Sequence, residues 1–325
     1  MPGHDNSRVR TPFHRGPQGC ADERPGIKDA LRYSGLPYPS SPRRIPLSPA
    51  TWLRRRASSS AQGPSSLSCQ LSPRRAYKPF EEVWVQAASG DLGTALGAAM
   101  YVAHVIGDDA RPMPTPALDR SWTEGELAAW LETARVLYER PEDIAEVVAG
   151  VLASDGVVAW FQGRSEYGPR ALGHRSLLAH PGRPENLERM NDIKGREQFR
   201  PIAPMVLKEE ATEIFDGPLP SPYMLFTHKV REGWPEKIPA VVHVDGTARI
   251  QTVSREAEPL VARVLGAFEK RTGLPVVVNT SLNTAGRPMV DDPRDALECC
   301  GSAPVDALDM GPFLVRRPAW GRSAP

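Results

Sequence analysis

The chain has 325 residues with 40 basic and 39 acidic side chains, a formal charge of +1 and an apolar fraction of 40%. That is enough for one or two domains with a sizeable core. No run approaches the roughly 18 consecutive apolar residues of a membrane span, and the start, MPGHDNSRVRTPFHRG, lacks the apolar centre of a secretory signal. A cytoplasmic location without a membrane partner is expected.

The balanced charge is unevenly spread. Residues 1–78 hold a local charge of roughly +10, with frequent prolines in stretches such as SSPRRIPLSP and WLRRRASSSAQGPSSLS. Such a composition buries too little surface to offset chain entropy, so 1–78 is expected to be a disordered basic segment. Its arginines could neutralise phosphate charge, but no recognition module accompanies them, and a nucleic-acid partner is not expected.

From Phe80 onward the sequence reads as α/β protein. FEEVWVQ alternates like a strand, and GDLGTALGAAMYVAHVI reads as a glycine-opened turn followed by a small-residue helix suited to pack close to a sheet. RPMPTPALDRSW is a connector. TEGELAAWLETARVLYE is a helix in which Thr123 and Glu126 form a capping box, and PEDIAEVVAGVLASDG is a second helix. VVAWFQ, residues 157–162, is a buried strand that runs into GRSEYGPRALGHRSLLAHP, where ALGHRS is expected to open a helix. A polar helix PENLERMNDIKG, a loop EQFRPIAPMV and a strand, turn and strand in AVVHVDGTARIQTV follow. The chain closes with a helix EPLVARVLGAFEKRTG, a strand LPVVVN, a helix DPRDALECCG and a last strand near ALDMGPFLV. Alternating strands and helices predict a mixed α/β layer fold. Cys20, Cys69, Cys299 and Cys300 have no CxxC spacing and are expected to be reduced structural thiols.

Four stretches could carry chemistry. In VVVNTSLNTAGRP, two-residue alternation puts Asn279, Ser281 and Asn283 on one side at the mouth of a sheet, and Gly286 can turn the chain tightly. Taken alone, that stretch is first of all a polar loop satisfying its own backbone. GRSEYGPRALGHRS spaces Arg164, Arg170 and Arg175 through a glycine-punctuated loop, a pattern that suits bidentate anion binding as well as a solvated surface. Lys194 and Arg196 in KGREQFRP would point the same way if that segment were extended, and Arg249 would begin the return strand after the Asp245–Gly246 turn. Together these cations could hold two polyanions, such as a nucleotide and a second phosphorylated substrate.

Read in order, GRSEYGPRALGHRSLLA, KGREQFRPIAP, HVDGTARIQTV and VVVNTSLNTAGRPMV resemble the C-terminal half of the O-carbamoyltransferases of antibiotic and nodulation-factor biosynthesis, the NodU/CmcH type, over about residues 80–318. The resemblance implies a YrdC-like mixed sheet with packed helices over 121–318, a remnant of an actin-like ATPase-fold transfer domain over 79–120, and a tail over 319–325. It implies that carbamoyl phosphate and ATP, the latter with Mg2+, are turned into carbamoyl-adenylate for transfer to a hydroxyl acceptor. Lys194 and Arg196 match the family's Lys-x-Arg pair, Ser281 and Asn283 its Ser-x-Asn pair, and Arg249 joins the first two in the catalytic role. Arg170 and Asn279 would help Ser281 and Asn283 hold the phosphates and the carbamoyl group. Asp91 matches an aspartate that ligates the transfer-domain iron or other divalent metal, yet the family's upstream His-x-x-x-His pair has no counterpart here. One carboxylate makes no metal site. The expectation is therefore a truncated carbamoyltransferase that would need a separate chain to complete transfer. The alternatives are a folded remnant without turnover and an RNA-binding YrdC-like protein.

Overall fold

The computed structural model describes residues 45–48, 51–55, 80–108 and 115–317. The remainder of 1–78, where disorder is expected, lies outside the described residues, as do Cys20, Cys69 and the 319–325 tail. Strands β1 (Ile45–Ser48), β2 (Thr51–Arg55) and β3 (Phe80–Val85) form an antiparallel sheet in that order. Helix α1 (Asp91–Val105) follows, with Gly93 and Gly97 buried. Leu92, Met100, Tyr101, Val102, Val105 and Ile106 remain exposed, so among the described residues the expected packing of this helix against a sheet is not seen.

The centre of the molecule is a seven-stranded mixed sheet. Its strands are β4 (Val158–Phe161), β5 (Arg175–Ala179), β6 (Ala203–Leu207), β10 (Gln251–Val253), β11 (Val276–Ser281), β12 (Ala307–Met310) and β13 (Phe313–Arg316), in the order β10-β6-β11-β5-β4-β12-β13. The β10–β6 and β4–β12 pairs are parallel and the others antiparallel. A smaller antiparallel sheet joins β7 (Phe215–Asp216), which directly follows the short helix α5 (Ala211–Ile214), to β8 (Thr227–Val230) and β9 (Thr247–Arg249).

Side-chain alternation divides the core between the two faces of the large sheet. Val277, Leu178, Trp160 and Met205 pack with α3 (Ile144–Ala153) and α6 (Pro259–Thr272). Val276, Val278, Leu177 and Phe161 pack on the other face with α2 (Glu124–Thr133), α4 (Glu185–Ile193) and α7 (Pro293–Ser302). Each such side chain contributes about 1.5–3 kcal/mol by leaving water, which is why runs like VVAWF and VVV, apolar at every position, make interior strands. The Thr123 capping box is present, with the Thr123 amide donating to Glu126 Oε2 at 2.7 Å and the Glu126 amide to Thr123 Oγ1 at 3.3 Å.

Four local expectations are corrected. The segment expected to open a helix at ALGHRS instead enters β5, because Arg175 to Ala179 are buried on both faces between β4 and β11. The expected loop EQFRPIAPMV contains β6, and its Pro204 is tolerated because β10 begins only opposite Met205. In AVVHVDGTARIQTV the first valine, Val241, belongs to a short 3-10 turn, Pro239–Val241, and the return run splits into β9 and β10, which belong to different sheets. The last strand is a hairpin, β12 and β13, turning at Gly311 with φ +61°.

Candidate functional site

The end of β11 carries the polar cluster expected from its sequence. Lys194 follows α4 directly and its Nζ donates to three oxygens: Ser281 O at 2.7 Å, Ser281 Oγ at 2.9 Å and Asn283 Oδ1 at 2.5 Å. Ser281 Oγ also donates to Asn283 Oδ1 at 2.8 Å, and Asn283 Nδ2 donates to Arg287 O at 2.7 Å. These acceptors are neutral. Burial, with the Arg196 guanidinium as a second cause, therefore pushes the Lys194 ammonium down to about 7. A cation this poorly balanced is a natural receiver for an anion.

Arg196 does not share the direction of Lys194. Gly195 between them takes φ +52°, and a Cβ there would lie 2.5 Å from Ala285 Cβ, so the turn after α4 sits directly against the turn that ends in Gly286, φ +70°. Arg196 folds back instead, its Nε donating to Asn191 Oδ1 at 2.6 Å. Asn191 is fully buried, and its Nδ2 also donates to Gln198 O and Arg200 O, which fixes the whole 196–200 turn. Burial first, then Arg200, lowers the Arg196 guanidinium, and its Nη2 is buried without a hydrogen-bond partner.

On the same face of β11, two residues back, Asn279 is fully buried. Its Nδ2 donates to Ala171 O at 3.1 Å and to Gln251 Oε1 at 2.7 Å, so it holds the arginine-rich loop from beneath. Gln251 Nε2 donates to Leu172 O at 2.7 Å, and Trp160 Nε1 to Gly173 O at 2.8 Å. Glu166 Oε1 grips the other side, accepting from the amides of Leu172 at 2.6 Å, His174 at 2.9 Å and Arg175 at 3.2 Å. These amides are the ones that a helix start would have turned toward an anion.

The three loop arginines separate by role. Arg164 is exposed and its Nη2 donates to Leu118 O at 2.6 Å. Arg175 is fully buried, donates to Gln162 O and Gly163 O, and stacks 3.8 Å over the Phe161 ring; burial brings it down to about 10, with Glu166 opposing. It belongs to the core and not to an anion site. Arg170 is half-buried on the loop segment that Asn279 and Gln251 hold at Ala171 and Leu172. His174, on the same loop, pairs with Glu258 at 3.2 Å; burial lowers it, Glu258 raises it, and the net shift is upward.

Arg249 ends β9 opposite Thr227, where the sequence had it beginning a strand. It depresses His243, whose shift comes first from burial. Asp91 is the exposed first residue of α1, and its backbone oxygen accepts from Thr94. Among the described residues no group of three His, Cys, Asp or Glu side chains converges as a metal site. Cys299 and Cys300 are free and buried, with burial pushing each thiol up to about 11. The structure thus brings Lys194, Ser281 and Asn283 together, sets Arg196 beside them on Asn191, and turns Asn279 inward as a clamp. Glu166, Gln251 and Asn191 went unread in the sequence; the single acid inside the arginine-rich loop was the available hint.

The family model described as "Carbamoyltransferase C-terminus" matches residues 149–317. "Nodulation protein NolO" of Bradyrhizobium diazoefficiens is 44% identical over 267 residues, covering 77% of this chain and 48% of that protein. "Nodulation protein U" of Sinorhizobium fredii is 40% identical over 240 residues, covering 74% of this chain and 41% of that one. The chain therefore spans about half or less of the length of these curated relatives. A solved structure of full-length HypF in its phosphate- and nucleotide-bound form overlaps 54% of this chain and 22% of its own, at a TM-score of 0.36 and 16% identity. No helix among the described residues is long and apolar enough to cross a membrane.

Proposed function

The chain belongs to the carbamoyltransferase family, whose C-terminal part it matches, and from that premise we propose that it makes carbamoyl-adenylate from carbamoyl phosphate and ATP. In this reading carbamoyl phosphate loses its phosphate to water. The remaining carbamate oxygen attacks the α-phosphorus of ATP, a C–O–P linkage forms, the α–β anhydride breaks and pyrophosphate leaves. The chemistry asks the protein chiefly for positioning and for positive charge that is already in place.

The observation that carries the proposal is the half-buried Lys194 ammonium, held by Ser281 and Asn283 and facing no carboxylate among its hydrogen-bond partners. An α-phosphate beside it would supply the missing counter-charge, and the gain would grow as negative charge builds at the reacting phosphorus. Arg196 would add a second donor through Nη2, Arg249 and Arg170 would hold the outgoing phosphates, and Mg2+ would arrive as part of the ATP substrate. Transfer of the carbamoyl group to a hydroxyl acceptor of natural-product or nodulation-factor type would follow as a separate step, on groups beyond those described, in this or another chain.

Incubation of the full chain with ATP, Mg2+ and carbamoyl phosphate should release pyrophosphate, and release should depend on both substrates. Arg249→Ala should lower it by about two orders of magnitude, the usual scale for losing a charged transition-state donor. Wild-type release indistinguishable from background, or full release by the variant, would dispose of the proposal.

A further inference from the structure

The Asn279 and Gln251 amides touch each other at one point of the sheet, and three candidate substrate contacts depend on where that point lies. Asn279 reaches Ala171 O and Gln251 reaches Leu172 O, so the pair fixes the two residues that follow Arg170. Gln251 opens β10, two residues after Arg249. Ser281, which holds Lys194, is the next residue on the same face of β11 as Asn279, about 6.6 Å further along the strand. The orientation of both amides is dictated: Ala171 O and Leu172 O accept only, so each must meet a nitrogen, which leaves Gln251 Oε1 to accept from Asn279 Nδ2.

We infer that Gln251 is a positioning residue for the reaction: through Asn279 and the carbonyls of Ala171 and Leu172 it sets the distance between the phosphate-holding Arg170 loop and the Lys194 corner. Gln251 is itself only 3% exposed and lies beneath the loop, so it acts through other residues and touches no substrate. This inference rests on the carbamoyl-adenylate reading for the identity of the substrates. Its content is the coupling between one amide and one loop. In a site whose chemistry is mostly positioning, an error of about 1 Å can cost on the order of a hundredfold.

The test compares Gln251→Leu, Arg170→Ala and the double variant in the full chain, with Gln251→Glu as the variant that keeps the acceptor for Asn279. Two quantities are read: KM values for carbamoyl phosphate and ATP in pyrophosphate release, and the affinity for inorganic pyrophosphate by calorimetry, which needs no turnover. Gln251→Leu should weaken pyrophosphate binding and raise the KM for ATP at least tenfold, with the KM for carbamoyl phosphate changed less than threefold. The double variant should be no worse than Arg170→Ala within a factor of two, since both changes disable one device. Gln251→Glu should lie between wild type and Gln251→Leu. Effects of Gln251→Leu and Arg170→Ala that multiply in the double variant, or a lowered melting temperature with both KM values unchanged, would overturn the inference. If Gln251→Leu does not fold, Gln251→Glu carries the comparison with Arg170→Ala alone. Wild type that binds pyrophosphate without releasing it from ATP defeats the adenylate reading, and the same series read in pyrophosphate affinity still decides the coupling. Wild type that binds none overturns both.

Discussion

Lys194→Met is expected to lower pyrophosphate release by at least a hundredfold while raising the melting temperature of the free chain at pH 6. The activity loss follows from removing the buried charge that would face the α-phosphate. The stability gain follows from the same charge. Burial brings the lysine down from 10.5 to about 7, so the unfolded chain holds a proton that the native chain releases between those values. The unfolded state binds more protons throughout that window, and the wild type's stability therefore rises with pH from about 7 to 10.5. Below pH 7 both states are charged and the full penalty of burying the ammonium stands. Methionine removes it, so the advantage of the variant should be largest at pH 6 and shrink steadily toward pH 10, by at most about 1.4 kcal/mol per pH unit. For a domain of this size, that is about 3–6 °C of melting temperature per unit. A difference between the two melting curves that does not change with pH would show that Lys194 is not carried in this strained state. ATP binding at pH 8 should correspondingly take up a proton, seen as a buffer-dependent heat in calorimetry.

Glu166→Ala should be the most destabilising single change in the arginine-rich loop. One carboxylate oxygen accepts from the amides of Leu172, His174 and Arg175, all within 3.2 Å. Removing it strands those amides and takes a counter-charge away from the buried Arg175 guanidinium. The expected cost is about 3–5 kcal/mol, or a fall of roughly 6–20 °C in melting temperature. Glu166→Gln keeps an acceptor oxygen in place and should cost about 1 kcal/mol. Equal melting temperatures for the alanine and glutamine variants would mean that the loop is held by its backbone and not by this side chain.

Features that depend on near neighbours were legible from the sequence. Thr123 and Glu126 are three residues apart, and the Val276–Val278 run announces a strand buried on both faces by composition alone. Features set by distant partners were not. The strand at Arg175–Ala179 is made by pairing Leu178 with Asn279, about a hundred residues later, and glycines before it looked like the start of a helix. Arg175 reads as an anion-binding or solvated cation because nothing local reveals that the Phe161 ring lies 3.8 Å from its guanidinium. At the site, Lys194, Ser281 and Asn283 stand out in the sequence as polar side chains and take roles only from resemblance to a family; Ser281 ends β11 and Asn283, two residues on, meets it. Arg196 escaped that rule because Gly195 turns the chain left-handed between the two cations. Asn279, named from the sequence as a substrate contact, lies fully buried with its Nδ2 donating to Ala171 O beneath the loop, a depth that strand alternation alone does not reveal.

The passage from β9 to β10 has a mechanical consequence. A single residue, Ile250, fully buried, separates the last residue of the small sheet from the first of the large one. Arg249 therefore stands at a welded joint and not on a swinging arm. A twist of the small sheet would bear on Gln251 and, through its bond to Leu172 O, on the arginine-rich loop.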